Sequence, residues 1–264
     1  MSKPRVFVTR LILESGLELV EDFCEAEVWQ DELPPSRQEI LRGVRGVEGL
    51  LCLLTDRIDA EVMQAAGPGL KIISNHAVGV DNVDLAAATA RGIPVGNTPD
   101  ILTDATADMA FALLLAAARR VVESDRLVKA GGWKTWGPGF MLGADLTGAT
   151  LGIVGFGRIG RAVARRASGF GLRILFTDPS HTPPEPGVLA IQVDLDTLLH
   201  ESDFISLHTP LTDETRGLIN TVTLKQMKPT AVLVNTSRGP VVDQEALYDA
   251  LSAKRIFAAA LDVT

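Results

Sequence analysis

An apolar run that leads directly into a glycine-rich turn is the feature that most constrains this chain. Residues 151–160 read LGIVGFGRIG, so a G-x-G-x-x-G pattern follows a strand pattern and opens a helical one. In such a turn Gly155 permits the sharp bend, Gly157 lets backbone N–H groups approach a pyrophosphate, and Gly160 allows close helix–strand packing. The start of the helix adds partial positive charge. The pattern therefore predicts a dinucleotide-binding βαβ unit.

A carboxylate follows at the distance that such a unit requires. Asp178 closes the next apolar run, 173–178, about twenty residues after the glycines. A carboxylate in this place accepts hydrogen bonds from a free ribose hydroxyl and repels a 2′-phosphate. We therefore predict NAD as the cofactor, with NADP less favoured. The alternative, a glycine turn that binds nothing, is disfavoured because strand, glycines, helix and acid coincide.

Composition limits the classes of partner and compartment. The 264 residues suffice for two domains, and the formal net charge of −8 argues against nucleic acid or an anionic membrane as partner. Cys24 and Cys52 lack C-x-x-C spacing, which indicates neither a disulfide framework nor a metal site. We expect reduced core cysteines in a cytoplasmic protein. Neither a secretory signal nor an apolar stretch long enough to span a bilayer is apparent.

Strand and helix patterns alternate through the first hundred residues. Strand candidates lie at 6–9, 50–54, 72–74 and 94–95, and helical patterns lie at 14–22, 36–43, 59–66 and 83–90. This alternation predicts a parallel sheet. A long helix rich in Ala and Leu is then predicted from Asp100 to Arg120, capped near Thr103 and Asp104. We place the domain boundary near residue 100, giving domains 1–100 and 101–264.

A second alternation fills the rest of the chain. Its six strand candidates are 150–154, 173–177, 188–192, 203–207, 230–235 and 256–261. Six strands of this kind match the doubly wound sheet that binds dinucleotides at its carboxyl edge. The predicted fold class is α/β with two doubly wound parallel-sheet lobes. The chain stops at 261–264, where a crevice-lining loop should start, so we expect a C-terminal segment to be missing from this sequence.

Polar residues follow the later strands, at the ends that should line the crevice. They are Ser206 to Pro210, Asn235 to Gly239, and Asp262. Arg238 is the sharpest candidate for chemistry, because a guanidinium can bind a carboxylate or a carbonyl oxygen with paired donors. A surface or helix-capping arginine is the alternative interpretation.

Six segments occur in an order that is more specific than any one motif. They read NHAVGVDNVD at 75–84, NTPD at 97–100, GFGRIG at 155–160, HTPLT at 208–212, NTSRG at 235–239 and LDV at 261–263. Together they resemble the D-isomer-specific 2-hydroxyacid dehydrogenases, most closely the glyoxylate/hydroxypyruvate reductases. The resemblance implies a flavodoxin-like substrate lobe, a Rossmann NAD-binding lobe, and NAD(P)H-dependent reduction of a small 2-oxo acid to the D-2-hydroxy acid.

The resemblance also implies residue roles. The backbone N–H groups of Val78 and Gly79 would receive the substrate carboxylate, and Arg238 would be the catalytic arginine. The implied cofactor-binding residues are Thr106, Gly155, Gly157, Arg158, Ile159, Gly160, Asp178, His208, Thr209, Pro210, Thr236 and Asp262. Trp136 resembles an aromatic residue that walls the neighbouring active site in a homodimer, although a loop anchor is an equal alternative.

One departure from the family pattern leaves the function open. The family's catalytic glutamate and proton-donating histidine would both lie beyond Thr264, and none of the four histidines takes that place. Residues 1–264 are therefore expected to bind better than they reduce. The alternatives are a non-catalytic NAD-sensing interaction protein, since fold does not fix function, and a related 2-ketogluconate, phosphoglycerate or phosphonate-oxidising dehydrogenase. A phosphorylated substrate should require an extra basic cluster in the first lobe, and none is evident.

Overall fold

The chain divides into two compact α/β units. The computed structural model describes residues 2–180 and 183–264. The first unit is Met1–Ile101 and the second is Leu102–Thr264.

The first unit is a parallel sheet with helices between its strands. Its strands are β1 (Arg5–Val8), β2 (Glu25–Val28), β3 (Gly49–Leu53), β4 (Ile72–His76) and β5 (Val95–Gly96), and its helices are α1 (Glu14–Phe23), α2 (Arg37–Gly43), α3 (Ala60–Ala66) and α4 (Leu85–Ala90). All strand pairs are parallel, in the order β2-β1-β3-β4-β5. This is the flavodoxin-like order, so the predicted fold class is confirmed for this unit.

Side-chain caps set where three of these helices begin. Ser36 and Glu39 form a reciprocal capping box at α2. Asp59 accepts from two backbone N–H groups at α3, and Asp84 accepts from one at α4. These oxygens satisfy N–H groups that the first turn of a helix leaves unpaired. The observed starts accordingly lie within two residues of the predicted ones.

The strand β2 is absent from the predicted elements. Its sequence, EAEV, alternates exposed glutamates with partly buried residues, and it lies at the edge of the sheet beside β1. An edge strand with one solvated face needs few apolar residues, so a search for apolar runs overlooks it.

The second unit is a six-stranded parallel sheet. Its strands are β6 (Thr150–Val154), β7 (Arg173–Thr177), β8 (Ala190–Gln192), β9 (Phe204–Leu207), β10 (Val232–Asn235) and β11 (Ala258–Leu261), and its helices are α5 (Thr103–Ala118), α6 (Val121–Lys129), α7 (Arg158–Ser168), α8 (Leu195–Glu201), α9 (Thr221–Gln226) and α10 (Gln244–Ser252). The order β11-β10-β9-β6-β7-β8 is that of a dinucleotide-binding sheet. The six predicted strands and the Rossmann class are confirmed.

The predicted cap of the long helix is wrong. The N-cap of α5 is Leu102, which makes no side-chain cap hydrogen bond. The carboxylate of Asp104 instead pairs with Arg165 and Arg166 of α7, at 3.0 and 3.1 Å. These ion pairs join residues that are about sixty positions apart in the chain. They engage the Asp104 carboxylate oxygen that the local sequence pattern had assigned to a helix cap.

The long helix is also shorter than predicted and is followed by a second helix. Arg120 adopts a left-handed conformation with φ of +53°, which ends the helical path after α5 and starts α6. An arginine carries no sequence signal for this conformation, which is typical of Gly or Asn.

Both faces of the second sheet are covered by apolar side chains. Leu151 and Ile153 of β6 belong to a core that includes Phe111 of α5 and Val163 of α7. Val154 belongs to a second core with residues of α8, α9 and α10. All five residues of β6 are buried, as expected of a central parallel strand. The end of β6 is thus a rigid base for the turn that follows it.

Candidate active site

Five strands of the second unit end at one level. The register pairs Val154 with Thr177 and with Leu207, and it places Asn235 opposite both Leu207 and Leu261. The residues that directly follow these strand ends are Gly155, Asp178, His208, Thr236 and Asp262. The sheet therefore brings five of the predicted cofactor-binding positions to its carboxyl edge, where open α/β sheets bind their ligands.

The turn after β6 is too tight for any side chain at Gly155. This glycine has φ of +90°, and an added Cβ would lie 2.7 Å from the carbonyl oxygen of His208. A Cβ on Gly160 would overlap the carbonyl oxygen of Gly155. The turn thus packs between the end of β9 and the first turns of α7, as its glycine pattern predicts.

Gly157 differs, because space is open around it. Among residues 2–180 and 183–264, a Cβ built there would meet nothing within 4 Å. Gly157 is also the N-cap of the eleven-residue helix α7, and because a glycine has no side chain it provides no cap for the N–H groups of the first turn. Open space beside the N–H groups of a helix start fits the pyrophosphate of a dinucleotide.

Asp178 is bonded to the glycine-rich turn itself. Its Oδ2 accepts from the N–H of Phe156 at 2.6 Å, and its Oδ1 accepts from the N–H and Oγ of Ser180 at 2.8 and 2.5 Å. Partial burial favours the neutral acid, but hydrogen bonds from Ser180 and Phe156 outweigh it and hold the pKa of Asp178 below its usual value. The group is therefore a carboxylate at neutral pH. Sequence reasoning assigned Asp178 to the ribose and missed its bond to the turn.

His208 is a neutral imidazole at this edge. Burial lowers its pKa to about 4, and Nε2 is hydrogen-bonded to Ser206 Oγ at 2.8 Å. A histidine with so low a pKa carries no extra proton at neutral pH.

Three buried polar atoms at the strand ends have no hydrogen-bond partner in the described part of the chain. They are Nδ1 of His208, Oγ1 of Thr209 and Oγ1 of Thr236. Buried polar atoms are normally paired, and each unpaired one calls for a physical explanation. All three belong to residues that sequence reasoning assigned to the cofactor, so the site fits a polar ligand such as a dinucleotide.

The turn that carries Arg238 is folded by a buried asparagine. Asn235 accepts from the N–H and Oγ of Ser237, at 3.0 and 2.8 Å, and its Nδ2 donates to the carbonyl of Arg238 at 2.9 Å. Arg238 is partly buried and donates to the carbonyl of Ser237. Sequence reasoning missed this role of Asn235, although a buried asparagine at a strand end was a signal for it.

The remaining predicted residues of the second unit lie on elements that frame this edge. Arg158 and Ile159 open α7, and Thr106 lies in α5, which packs against β10 and β11. Pro210 follows Thr209 and is exposed.

In the first unit, Val78 and Gly79 lie in the loop after β4. Both are partly buried. Within the described residues of this unit, neither backbone N–H has a hydrogen-bond partner. Unpaired N–H groups in a partly buried loop can bind an anion such as a carboxylate.

Other site types lack support in the residues that are described. No group of three or more His, Cys, Asp and Glu could hold a metal ion across residues 2–180 and 183–264. Over the same ranges, no helix is both long enough and apolar enough to cross a bilayer. Both cysteines are free, and burial raises the pKa of Cys52 to about 12, so its thiol is unreactive.

The glycine-rich turn generates a paired prediction. Gly157→Ala should leave the free energy of unfolding nearly unchanged but weaken NADH binding at least about tenfold, because its methyl group enters the open space. Gly160→Ala should lower the unfolding free energy by about 1–3 kcal/mol, because its methyl group meets backbone. Urea unfolding and NADH fluorescence titration measure the two effects. NADH affinity unchanged by Gly157→Ala would contradict the assignment of this space to the pyrophosphate.

Comparison with known proteins identifies the family. The profile of the D-isomer specific 2-hydroxyacid dehydrogenase, NAD binding domain, matches residues 111–264. A glyoxylate reductase of Korarchaeum cryptofilum is 57% identical, in an alignment that covers 99% of this chain and 79% of that protein.

Two solved structures agree with this similarity. The crystal structure of a Thermus thermophilus protein has a TM-score of 0.91 and 49% identity, over 98% of this chain and 82% of that one. A D-lactate dehydrogenase of Aquifex aeolicus, complexed with NAD and lactic acid, has a TM-score of 0.85 and 28% identity, over 98% and 76%. The chain belongs to the NAD-binding, D-isomer-specific 2-hydroxyacid dehydrogenases.

Proposed function

We propose that this protein reduces a small 2-oxo acid to the 2-hydroxy acid with NADH, glyoxylate being the first substrate to test and hydroxypyruvate the second. The observation that carries the proposal is the alignment of Gly155, Asp178, His208, Thr236 and Asp262 on one sheet edge. The 57% identity to a protein named glyoxylate reductase supports the substrate class.

The cofactor roles follow from the geometry of the second unit. The N–H groups at the start of α7 bind the pyrophosphate beside Gly157. The hydroxyl groups of Thr209 and Thr236 bind polar groups of the dinucleotide, which explains why these buried oxygens have no partner in the described chain. When bound, a nicotinamide dinucleotide supplies the hydride that reduces the carbonyl carbon.

Two kinds of hydrogen-bond donor bind the substrate in this proposal: uncharged backbone N–H groups and the charged side chain of Arg238. The N–H groups of Val78 and Gly79 bind the carboxylate of the 2-oxo acid. Arg238 donates to the carbonyl oxygen and stabilises the negative charge that develops there during reduction. His208 is not the proton donor, because a pKa of about 4 leaves its imidazole neutral at working pH. We assign the proton donor to none of residues 1–264.

The alternatives are less well supported. A non-catalytic NAD sensor would need neither an arginine nor unpaired N–H groups placed for a carboxylate, and the comparisons favour a dehydrogenase. No described feature of the first unit argues specifically for 2-ketogluconate, phosphoglycerate or a phosphonate as the substrate. We place the protein in the cytoplasm, because its two free cysteines fit a reducing compartment.

Arg238→Ala tests the catalytic assignment. In the full-length protein, kcat/KM for glyoxylate should fall about a hundredfold or more, because the developing charge loses its donor. The Kd for NADH should stay within about twofold. Arg173→Ala is the matched control, since exposed Arg173 begins β7 at the opposite edge of the sheet and pairs with Glu201 at 2.7 Å. Steady-state kinetics with full activity in Arg238→Ala would refute the role.

Asp178→Asn tests the choice between NAD and NADP. The substitution keeps one oxygen for the Phe156 N–H, replaces the oxygen that accepts from Ser180 with an amide nitrogen, and removes the charge that repels a 2′-phosphate. The ratio of kcat/KM for NADH to that for NADPH should fall about tenfold. Asp249→Asn, at an exposed position of α10, should leave this ratio unchanged. A parent protein that already prefers NADPH would overturn the assignment of NAD.

We also propose a homodimer that uses the segment 133–142. Four large apolar side chains are exposed in these ten residues: Trp133, Trp136, Phe140 and Leu142. Such a cluster is unusual on a surface that stays in water, and a second copy of the chain is the occupant to test. Light scattering at micromolar concentration should give twice the chain mass, and Trp136→Asp should lower it. Leu189→Asp, at an equally exposed site elsewhere, should not; a monomeric parent would contradict the dimer.

A further inference from the structure

Three successive carbonyl groups of the loop after β4 are each held by a hydrogen bond. The oxygen of Ala77 accepts from the N–H of Thr98 at 2.9 Å. The oxygen of Val78 accepts from Nδ2 of Asn97 at 2.8 Å, and the oxygen of Gly79 accepts from Nδ2 of Asn75 at 2.9 Å. Two of the three donors are therefore asparagine amides.

Holding these oxygens also fixes the N–H groups across from them. A trans peptide is planar, with its C=O and the following N–H on opposite sides. No cis peptide occurs in the residues that the structure describes. The bonds to the oxygens of Ala77, Val78 and Gly79 thus set the directions of the N–H groups of Val78, Gly79 and Val80. Within the described first unit, none of these three N–H groups has a partner of its own.

Asn75 is itself rigidly held. Its side chain is fully buried and forms a reciprocal amide pair with Asn82, at 3.0 and 3.1 Å. The second N–H of Asn82 Nδ2 is shared between the carbonyls of Leu53 and Asp56, whose oxygens both lie 3.0 Å from the nitrogen. The loop is therefore tied to the end of β3 through one buried and one partly buried amide, which leave it little freedom to turn its peptide planes.

We propose that Asn97 and Asn75 are positioning residues for the reaction. Asn97 sets the peptide plane that carries the Gly79 N–H, which receives the substrate carboxylate together with the Val78 N–H, and Asn75 fixes the next peptide plane and so the conformation of the loop. This inference rests on the proposed function. An anion bound by N–H groups that already point correctly does not have to order them first, so affinity is gained before any new contact is made. The amides act through the peptide groups and do not themselves touch the substrate.

Asn97→Ala is the decisive variant, because the Asn97 side chain is exposed and its loss should not prevent folding. In the full-length protein, KM for glyoxylate should rise about tenfold with kcat within about twofold, the signature of lost substrate binding. The inhibition constant of oxalate should rise by the same factor, and the Kd for NADH should not change.

Two further variants separate hydrogen bonding from mere bulk. Asn97→Asp keeps the size of the side chain but replaces the donor with a carboxylate, so its KM should be at least as high as in Asn97→Ala. A KM near that of the parent would show that Asn97 only fills space. Gln30→Ala removes an exposed amide that donates to the carbonyl of Val28 at 3.1 Å, away from the loop, and should leave all constants unchanged.

Asn75→Leu tests the buried amide, with urea unfolding as a measure of its structural effect. If this variant folds, KM for glyoxylate and the inhibition constant of oxalate should rise at least as much as in Asn97→Ala. If it does not fold, the result for Asn97→Ala decides the inference. An active parent whose KM shifts less than about twofold in Asn97→Ala overturns the inference alone. A parent that binds NADH but neither reduces glyoxylate nor binds oxalate overturns the proposed function, and the inference with it.

Discussion

The close approach of helix α7 to the turn after β6 is the constraint on which the second unit depends. Neither Gly155 nor Gly160 has room for a Cβ, so the helix starts directly above the end of the central strand. Asp178 adds a second tie, because it accepts from the N–H of Phe156 within the same turn. Strand, turn and helix are thereby one rigid element, and Gly157 is the glycine in this motif whose surroundings stay open.

The N–H groups that we propose as anion donors are provided by different means in the two units. In the second unit the start of α7 provides them, and their direction follows from the helix itself. In the first unit no helix is involved, and hydrogen bonds to the carbonyls of Ala77, Val78 and Gly79 set the peptide planes. Side-chain amides therefore do in a loop what regular backbone geometry does at a helix start.

Most of the fold could be predicted from the sequence because buried parallel strands are apolar runs. β6, β7 and β9 were found in this way, and the glycine pattern located the tight turn between β6 and α7. The failures have physical reasons: β2 is an edge strand with solvated glutamates, and Arg120 turns left-handed without a glycine. In the candidate site, the local pattern could not show that Asn97 reaches Val78, nineteen residues away, because such contacts exist only after folding.

The hydrogen bonds from Asn75 and Asn97 have a chemical consequence for the loop after β4. Carboxamides and peptide groups neither take up nor release protons under the conditions in which proteins remain folded. The strength with which this loop holds an anion should therefore be insensitive to acidity. A lysine or histidine in the same place would make recognition of the acid rise and fall with its own titration. The amide and peptide donors of this loop thus add no titration of their own to recognition of the acid.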